Sequence, residues 1–203
     1  MNKKIIVALF GKAGAGKDSI LKEIIKESPA IFHALISTTT RPPREGEQDG
    51  VDYRFISETA AELNVESNNY LEYATFRGWT YGTLKSDVMK NKINIGVFNL
   101  TGIKSLMALD KKEYKIIPIY INCSDKTRLM RQLSREKDPD CAEIVRRYTT
   151  DEEDFRFFSS WLLPSLTVIN EYRSLTIIVE ELLDWLCDNL LLMFLQDDPD
   201  RII

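Results

Sequence analysis

The sequence predicts an α/β fold: a three-layer core around a mostly parallel sheet, carrying an inserted, small, mostly β subdomain. Three observations support this. The apolar run Ile5-Ile6-Val7-Ala8-Leu9-Phe10 leads straight into the glycine-rich stretch Gly11-Lys12-Ala13-Gly14-Ala15-Gly16-Lys17-Asp18-Ser19, and a helical pattern follows. Ile93 to Leu100 and Tyr114 to Asn122 are nearly continuous β-branched apolar runs, as expected of parallel strands buried on both faces. Strand and helix signals alternate at both ends of the chain, whereas residues 38–84 break that rhythm. The 203 residues suffice for one such domain with a substantial core.

Taken in order, Ile5 to Phe10 is the first buried strand. Lys17 to Lys26 is the helix behind the glycine-rich turn, with Ile20, Leu21, Ile24 and Ile25 at helical spacing. His33 to Ser37 reads as a short strand, and Arg41 to Gly50, rich in Pro, Gly and charge, as a long loop. Tyr53 to Ile56 and Tyr70 to Phe76 read as strands with a polar helix, Glu58–Glu66, between them. A tight turn and strand cover Gly78 to Thr83. Each of the two later core strands is followed by a helix, Gly102–Leu109 and Asp125–Glu136. Leu166 to Ile169 is a last core strand, and Leu175 to Leu195 a long amphipathic helix.

Composition narrows the function classes. A charged fraction of 29% and a hydrophobic fraction of 44% are ordinary for a soluble globular chain. The net charge of −4 argues against bulk attraction to nucleic acid or an anionic membrane, so an anionic substrate must be drawn in by local arginines and lysines. Cys123, Cys141 and Cys187 are odd in number and lack metal-ligand spacing. They read as reduced packing thiols of a cytoplasmic protein. His33, the one histidine, reads as a strand-edge residue. The apolar run after Asn2-Lys3-Lys4 is too short for a signal peptide, and Leu190 to Leu195 is far below a membrane span.

The stretch at 11–19 has the composition and context of a phosphate-binding loop. Gly11, Gly14 and Gly16 let the backbone fold around an anion with its N–H groups pointing inward. Lys17 adds a point charge for the β- and γ-phosphates, and the helix start adds its dipole. The segment fits Gly-x-x-x-x-Gly-Lys, with Asp18 where Ser or Thr is usual and Ser19 one residue later. A dinucleotide fingerprint fits worse, because no third glycine follows Gly14-Ala15-Gly16. The expected ligand is a nucleoside triphosphate.

A second cluster lies in the insert. Ser37-Thr38-Thr39-Thr40-Arg41-Pro42-Pro43-Arg44-Glu45-Gly46, then Asp49-Gly50-Val51-Asp52-Tyr53, puts two arginines three apart on a proline-stiffened loop. Two guanidinium forks at that spacing suit a phosphate, and Tyr53 can add a hydroxyl.

Together with Tyr70-Leu71-Glu72-Tyr73-Ala74, Gly78-Trp79-Thr80-Tyr81-Gly82-Thr83, Gly102-Ile103-Lys104-Ser105-Leu106, Arg131, Arg135, Ile144-Val145-Arg146-Arg147 and Val168-Ile169-Asn170, these segments resemble the guanylate kinases, P-loop nucleoside monophosphate kinases, in order over residues 3–187. The resemblance implies a core at 1–36 and 85–187, a nucleotide-monophosphate-binding insert at 37–84 and a mobile helical lid at about 131–147. It implies ATP, with Mg²⁺, as phosphoryl donor and GMP or dGMP as acceptor, with no nucleic acid or membrane partner. Gly11, Ala13, Gly14, Ala15, Gly16, Lys17, Asp18, Ser19, Arg135 and Asn170 would bind ATP. Ser37, Arg41, Arg44, Tyr53, Glu72, Tyr81, Thr83 and Asn99 would face GMP. Lys17, Arg41, Arg131, Arg135 and Arg147 would stabilise the transferring phosphoryl group, and Asp18 would support Mg²⁺, directly or through water. Arg128 and Arg146 read instead as helix-surface charges paired with Glu136, Asp138 and Glu143.

The role implied for Glu72 has a direct chemical basis. Guanine presents N1–H and its N2 amine side by side, two donors that one carboxylate accepts together. Adenine would set an acceptor against it, and an unpaired buried polar group costs about 1–3 kcal/mol.

The chain departs from the family pattern at three places. Asp18 replaces a hydroxyl residue. Val97-Phe98-Asn99-Leu100 stands where the family carries aspartates, one of which assists base recognition, so a relaxed base or sugar choice is the alternative reading. Residues 188–203 match nothing in the family and read as a tail or contact segment. An inert guanylate-kinase-like binding module would lack the loop lysine or the lid arginines, all of which are present.

Overall fold

A computed structural model describes residues 3–44, 46–135, 137–156, 158 and 166–197, the stretch 191–197 by its backbone alone. The chain runs β1 (Lys4–Phe10), α1 (Lys17–Glu27), β2 (Phe32–Ala34), β3 (Thr38–Thr39), β4 (Arg54–Phe55), α2 (Glu58–Glu66), β5 (Tyr70–Phe76), β6 (Trp79–Leu84), β7 (Ile93–Phe98), α3 (Leu100–Met107), β8 (Tyr114–Asn122), α4 (Asp125–Leu133), α5 (Cys141–Phe155), β9 (Leu166–Ile169) and α6 (Leu175–Asp197).

The core is a five-stranded parallel sheet in the order β2-β7-β1-β8-β9. The central strand β1 is buried on both faces, and its alternation divides the core in two. Ile5, Val7 and Leu9 pack with Ile20 and Ile24 of α1 and with Ile178, Leu182 and Leu186 of α6. Ile6, Ala8 and Phe10 pack with Ile103 and Leu106 of α3. Helices therefore cover both faces, the predicted three layers. A parallel sheet carries its ligand loops at the carboxyl ends of its strands, and the glycine-rich turn lies at that end of β1.

The four strands between residues 38 and 84 form a separate sheet, β4-β3-β6-β5. β3 pairs parallel with β4 and antiparallel with β6, and β5 and β6 form a hairpin. Its turn, Arg77-Gly78, has both φ angles positive, at 54° and 79°, the twist a two-residue hairpin needs. Ser57 caps α2 by accepting the Ala60 N–H at 3.1 Å.

Several boundaries differ from the sequence reading for local reasons. The strand expected over His33–Ser37 is found at Phe32–Ala34 and ends early, because the chain passes there from the large sheet to the small one. The Ile36 N–H donates to the buried carboxylate of Asp87 at 3.0 Å instead of to a ladder. The strand expected at Tyr53–Ile56 shortens to Arg54–Phe55. The strand expected to reach Leu100 stops at Phe98, because Asn99 caps α3 by accepting the Gly102 N–H at 2.7 Å. That helix accordingly begins at Leu100, two residues before the predicted Gly102.

The helix predicted to reach Glu136 ends at Leu133, and α5, of which only the part up to Arg147 fell in the expected lid, is a 15-residue helix. Its start was encoded: Asp140 accepts the Glu143 N–H at 3.0 Å, an acidic cap with Glu at the third helical position. α6 continues to Asp197, taking in most of the expected tail. Residues 198–203 lie outside the described ones. No helix among the described residues is long and apolar enough to cross a membrane. Only Cys123 of the three cysteines packs in the core. Cys141 and Cys187 are exposed, contrary to a packing role for all three. His33 sits on β2, an edge strand, as expected.

Candidate functional site

The glycine-rich turn wraps tightly at the end of β1. Gly14 and Gly16 have φ of 80° and 91°, and a Cβ on either would fall 2.5 Å from the Arg128 carbonyl oxygen or 2.3 Å from Asn170 Nδ2. No side chain larger than glycine fits at these two points. α1 begins at Lys17 without a side-chain cap, so its first N–H groups have no side-chain acceptor. Lys17 Nζ donates to the Gly11 and Lys12 carbonyls at 2.8 and 3.1 Å, and burial pushes its pKa down.

The loop is braced from behind. Asn170 is buried and donates its amide to the Ala15 carbonyl at 2.7 Å. Arg131 lies across the same carbonyl and donates to the Asn170 backbone oxygen at 3.0 Å. Both side chains were picked from the sequence for contact with the donor, and in this structure both hold the shape of the loop. Asp18 and Ser19 are exposed on the first turn of α1.

The facing wall comes from the small sheet. Glu72 on β5 and Thr83 on β6 are cross-strand partners, and the Thr83 hydroxyl donates to Glu72 Oε1 at 2.7 Å. Ser37 Oγ is 3.4 Å from the same hydroxyl. Burial pushes the Glu72 carboxyl above the usual range, against the opposing hydrogen bonds from Thr83. Its other oxygen lies above the start of α3, where a Cβ on Gly102 would come within 3.1 Å. Asn99 has its Oδ1 engaged in capping α3.

Arg41 stacks over Tyr53 and Phe55, and the Tyr53 and Tyr81 rings meet edge on at 6.0 Å. Glu47 takes the Arg41 guanidinium at 2.9 Å and the Arg44 backbone N–H at 2.8 Å, and these bonds pull its pKa down. The Arg44 side chain is exposed. Glu47 was not singled out in the sequence, although an acid three residues after Arg44 was there to be read.

Between the two walls lies an open cleft of about 310 Å³. Gly11, Ala13 and Lys17 line one side, and Ser37, Tyr53, Glu72 and Tyr81 line the other, with Val97 and Asn99 at its base. The structure thus brings Gly11, Ala13 and Lys17, expected at the donor, and Ser37, Tyr53, Glu72, Tyr81 and Asn99, expected at the acceptor, to one cavity. Arg41, Arg44, Arg131, Arg135 and Arg147, all five expected at the phosphates, are not part of its lining. Arg135 is exposed in the turn after α4, and Arg147 is held by Glu143 at 2.8 Å.

Arg146 pairs with Glu143, as expected of a surface charge, but the same expectation for Arg128 is wrong. Arg128 is 1% exposed and binds Asp125, Asp151 and Glu152 at 2.9, 3.1 and 2.6 Å. It turns inward because α5 packs on α4 and brings two acids to meet it. Asp151 also accepts the Ala13 N–H at 2.7 Å, and Glu152 binds Lys12 at 2.6 Å. These acids, one helical turn past Arg147, were missed because an acidic run on a helix ordinarily faces solvent.

No group of three or more His, Cys, Asp or Glu among the described residues is arranged to hold a metal ion. A metal at this cleft would need oxygens from a ligand beside a carboxylate such as Asp18, the usual manner of Mg²⁺.

The model of the family described as guanylate kinase matches residues 2–180. The chain is similar to the guanylate kinase of Homo sapiens, with 30% identity over 171 residues, covering 81% of this chain and 84% of the other. It is 35% identical over 148 residues to the guanylate kinase of Prochlorococcus marinus (strain MIT 9312), with coverages of 72% and 79%. In fold it is similar to the crystal structure of guanylate kinase from Anaplasma phagocytophilum, with a TM-score of 0.65 at 16% identity, over 93% of this chain and 87% of that one.

Proposed function

The chain belongs to the guanylate kinase family and phosphorylates GMP with ATP, and we propose that it does so across the cleft between the glycine-rich loop and the small sheet. One observation carries this placement: Lys17 and Ala13 share a cavity with Ser37, Tyr53, Glu72 and Tyr81. A donor phosphate on the loop and an acceptor phosphate near Arg41 would then face each other.

On this reading the loop N–H groups and the α1 N-terminus hold the donor phosphates, and Lys17 follows the phosphoryl group as charge moves onto its oxygens. Arg41, Arg44, Tyr53 and Tyr81 hold the acceptor phosphate, which requires Glu47 to release Arg41. Glu72, aligned by Thr83 and joined by Ser37, reads guanine. The same contacts admit dGMP, since none of them is assigned to the ribose. Arg131 acts by fixing the loop, and Arg135 and Arg147 reach the transferring group only as α4 and α5 close. Asn170 serves the donor site by bracing Ala15. No covalent intermediate or strong base is needed, because the attacking phosphate oxygen is already anionic, so positioning and electrostatics carry the rate.

The residues fit Mg²⁺ brought in with the nucleotide. Asp18 would contribute one carboxylate, and the ion would neutralise charge on the donor phosphates. The free cysteines suit a reducing compartment, consistent with a place in the cytoplasm.

Transfer of labelled γ-phosphate from ATP to GMP tests the placement. Arg41→Ala is expected to raise the KM for GMP about tenfold or more, with the KM for ATP little changed, as loss of a charge-assisted phosphate contact implies. A rise confined to ATP would place Arg41 on the wrong nucleotide.

A further inference from the structure

The glycine-rich loop already holds an anion, and the chain supplies it. Asp151 Oδ2 accepts the Ala13 N–H at 2.7 Å, on the face of the loop that lines the cleft beside Lys17. The next residue, Glu152, holds Lys12 at 2.6 Å. Two consecutive carboxylates of α5 thus fasten two consecutive residues of the loop. We infer that Asp151 is an internal stand-in for phosphate, which the donor's terminal phosphates must displace from Ala13, and that its displacement frees α5 to bring Arg147 inward.

A turn of backbone N–H groups beside a buried lysine selects for negative charge, whatever carries it. A carboxylate and a phosphate oxygen cannot share one N–H donor at hydrogen-bond distance, and their like charges repel. Burial opposes ionisation of Asp151, whereas the Ala13 N–H and then the Arg128 charge favour it. The seat therefore depends on those partners. Arg128 provides a place for the displaced carboxylate. It is fully buried, already touches Asp151 at 3.1 Å, and stacks on Tyr148 at 4.6 Å, so it remains when the loop contact breaks. Asp125 and Glu152 keep Arg128 neutralised in either state.

The mechanical consequence follows from spacing. Arg147 is one turn before Asp151 on α5 and outside the cleft while the latch is closed. Exchange of Asp151 for phosphate removes one of the two bonds by which α5 holds the loop, leaving Glu152 on Lys12 as a longer, more pliant tether. Donor binding and entry of the arginine are thereby coupled, each favouring the other. This inference rests on the donor-site assignment made above.

Calorimetry without GMP separates the two. ATP and inorganic tripolyphosphate are titrated into the 203-residue chain and into its Asp151→Asn and Asp151→Ala variants. Asn keeps the size of the side chain while removing its charge, which guards against a fold failure in the alanine variant. Both variants are expected to bind each polyphosphate about tenfold more tightly than the wild type, the scale of one charged hydrogen bond. Equal or weaker binding by a folded variant overturns the stand-in role and makes Asp151 a structural or ligand-supporting group. Failure of the wild type to bind either polyphosphate overturns the donor site itself, and the latch with it. Hydrogen exchange gives a second readout. Amides of α5 after Arg147 are expected to exchange faster when tripolyphosphate is added to the wild type, and fast from the outset in Asp151→Asn. Unchanged protection with ligand bound contradicts the coupling to Arg147.

Discussion

Thr83 and Glu72 face each other across the β5–β6 ladder, and the threonine hydroxyl fixes one carboxylate oxygen at 2.7 Å. The other oxygen is left beside Gly102 at the start of α3. A carboxylate aligned in this way suits a partner with two adjacent donors. It also explains why burial matters here, because desolvation lifts the Glu72 pKa above the ordinary carboxylate range.

The first prediction follows from that shift. Protonated Glu72 cannot accept from both guanine donors, so kcat/KM for GMP is expected to fall with acid while the pH is still above the ordinary Glu range. The sign for stability is opposite to that of a salt-bridged acid. A raised folded pKa means that ionised Glu72 opposes folding at neutral pH. Glu72→Gln is therefore expected to raise the KM for GMP about tenfold or more without lowering the melting temperature. A melting temperature that falls with an unchanged KM would make Glu72 a structural residue.

Gly102 provides a finer test of the same geometry. A methyl group there meets Glu72 Oε2 at 3.1 Å and Asn99 Oδ1 at 3.3 Å. Gly102→Ala is expected to raise the KM for GMP severalfold, although Ala in place of Gly favours a helix by about 1 kcal/mol. An unaltered KM would show that the carboxylate has room to move.

Lys17→Met tests the donor wall. The lysine bonds only loop carbonyls among the contacts described, so folding should survive its loss. Turnover is expected to drop by about 10²- to 10³-fold or more, the scale for removing one preorganised charge from the transition state. Near-normal turnover in a folded variant would remove Lys17 from the chemistry.

Asp18 stands exposed on the first turn of α1. Asp18→Asn is expected to raise the Mg²⁺ concentration giving half-maximal rate, with the KM for GMP little changed. If the Mg²⁺ dependence does not move, Asp18 acts only as a negative charge at the helix start.

Glu143 binds Arg146 and Arg147 on its own helix and Arg77 on the hairpin of the small sheet. The guanidinium groups of Arg146 and then Arg147 lower its pKa to about 2. Its stabilising effect should be complete above the unfolded-state carboxylate pKa and be lost as the pH falls through about 2. Solvent screening at this surface site limits it to about 1 kcal/mol. Glu143→Gln is expected to lower the melting temperature at pH 7 by a few degrees and to have no effect below pH 2. An equal loss at both pH values would assign the effect to packing.

The fold was legible because its signals were local. The buried runs at 5–10 and 114–122, the glycine-rich turn and the Ser57 cap each specify their own element. The walls of the cleft were legible for a different reason: Lys17, Tyr53 and Glu72 lie in motifs whose chemistry depends on spacing within a few residues. Long-range pairings were not legible. Asp151 reaches Ala13 over 138 positions, and Arg128 is buried only because α5 folds back onto α4. Asn99 was read for its side-chain chemistry alone, yet its oxygen caps a helix. In the proposed site, base choice would therefore fall to Glu72, Thr83 and Ser37.

The most direct test of the shared cleft is phosphoryl transfer from ATP, with Mg²⁺, to GMP, dGMP, AMP, CMP, UMP and dTMP under one set of conditions. GMP and dGMP are expected to lead the others by about 10²-fold or more in kcat/KM, the discrimination that paired buried hydrogen bonds can supply. In Glu72→Gln that lead should shrink. Preference for an adenine or pyrimidine acceptor, or a guanine preference that survives Glu72→Gln, would contradict the assignment of the cleft.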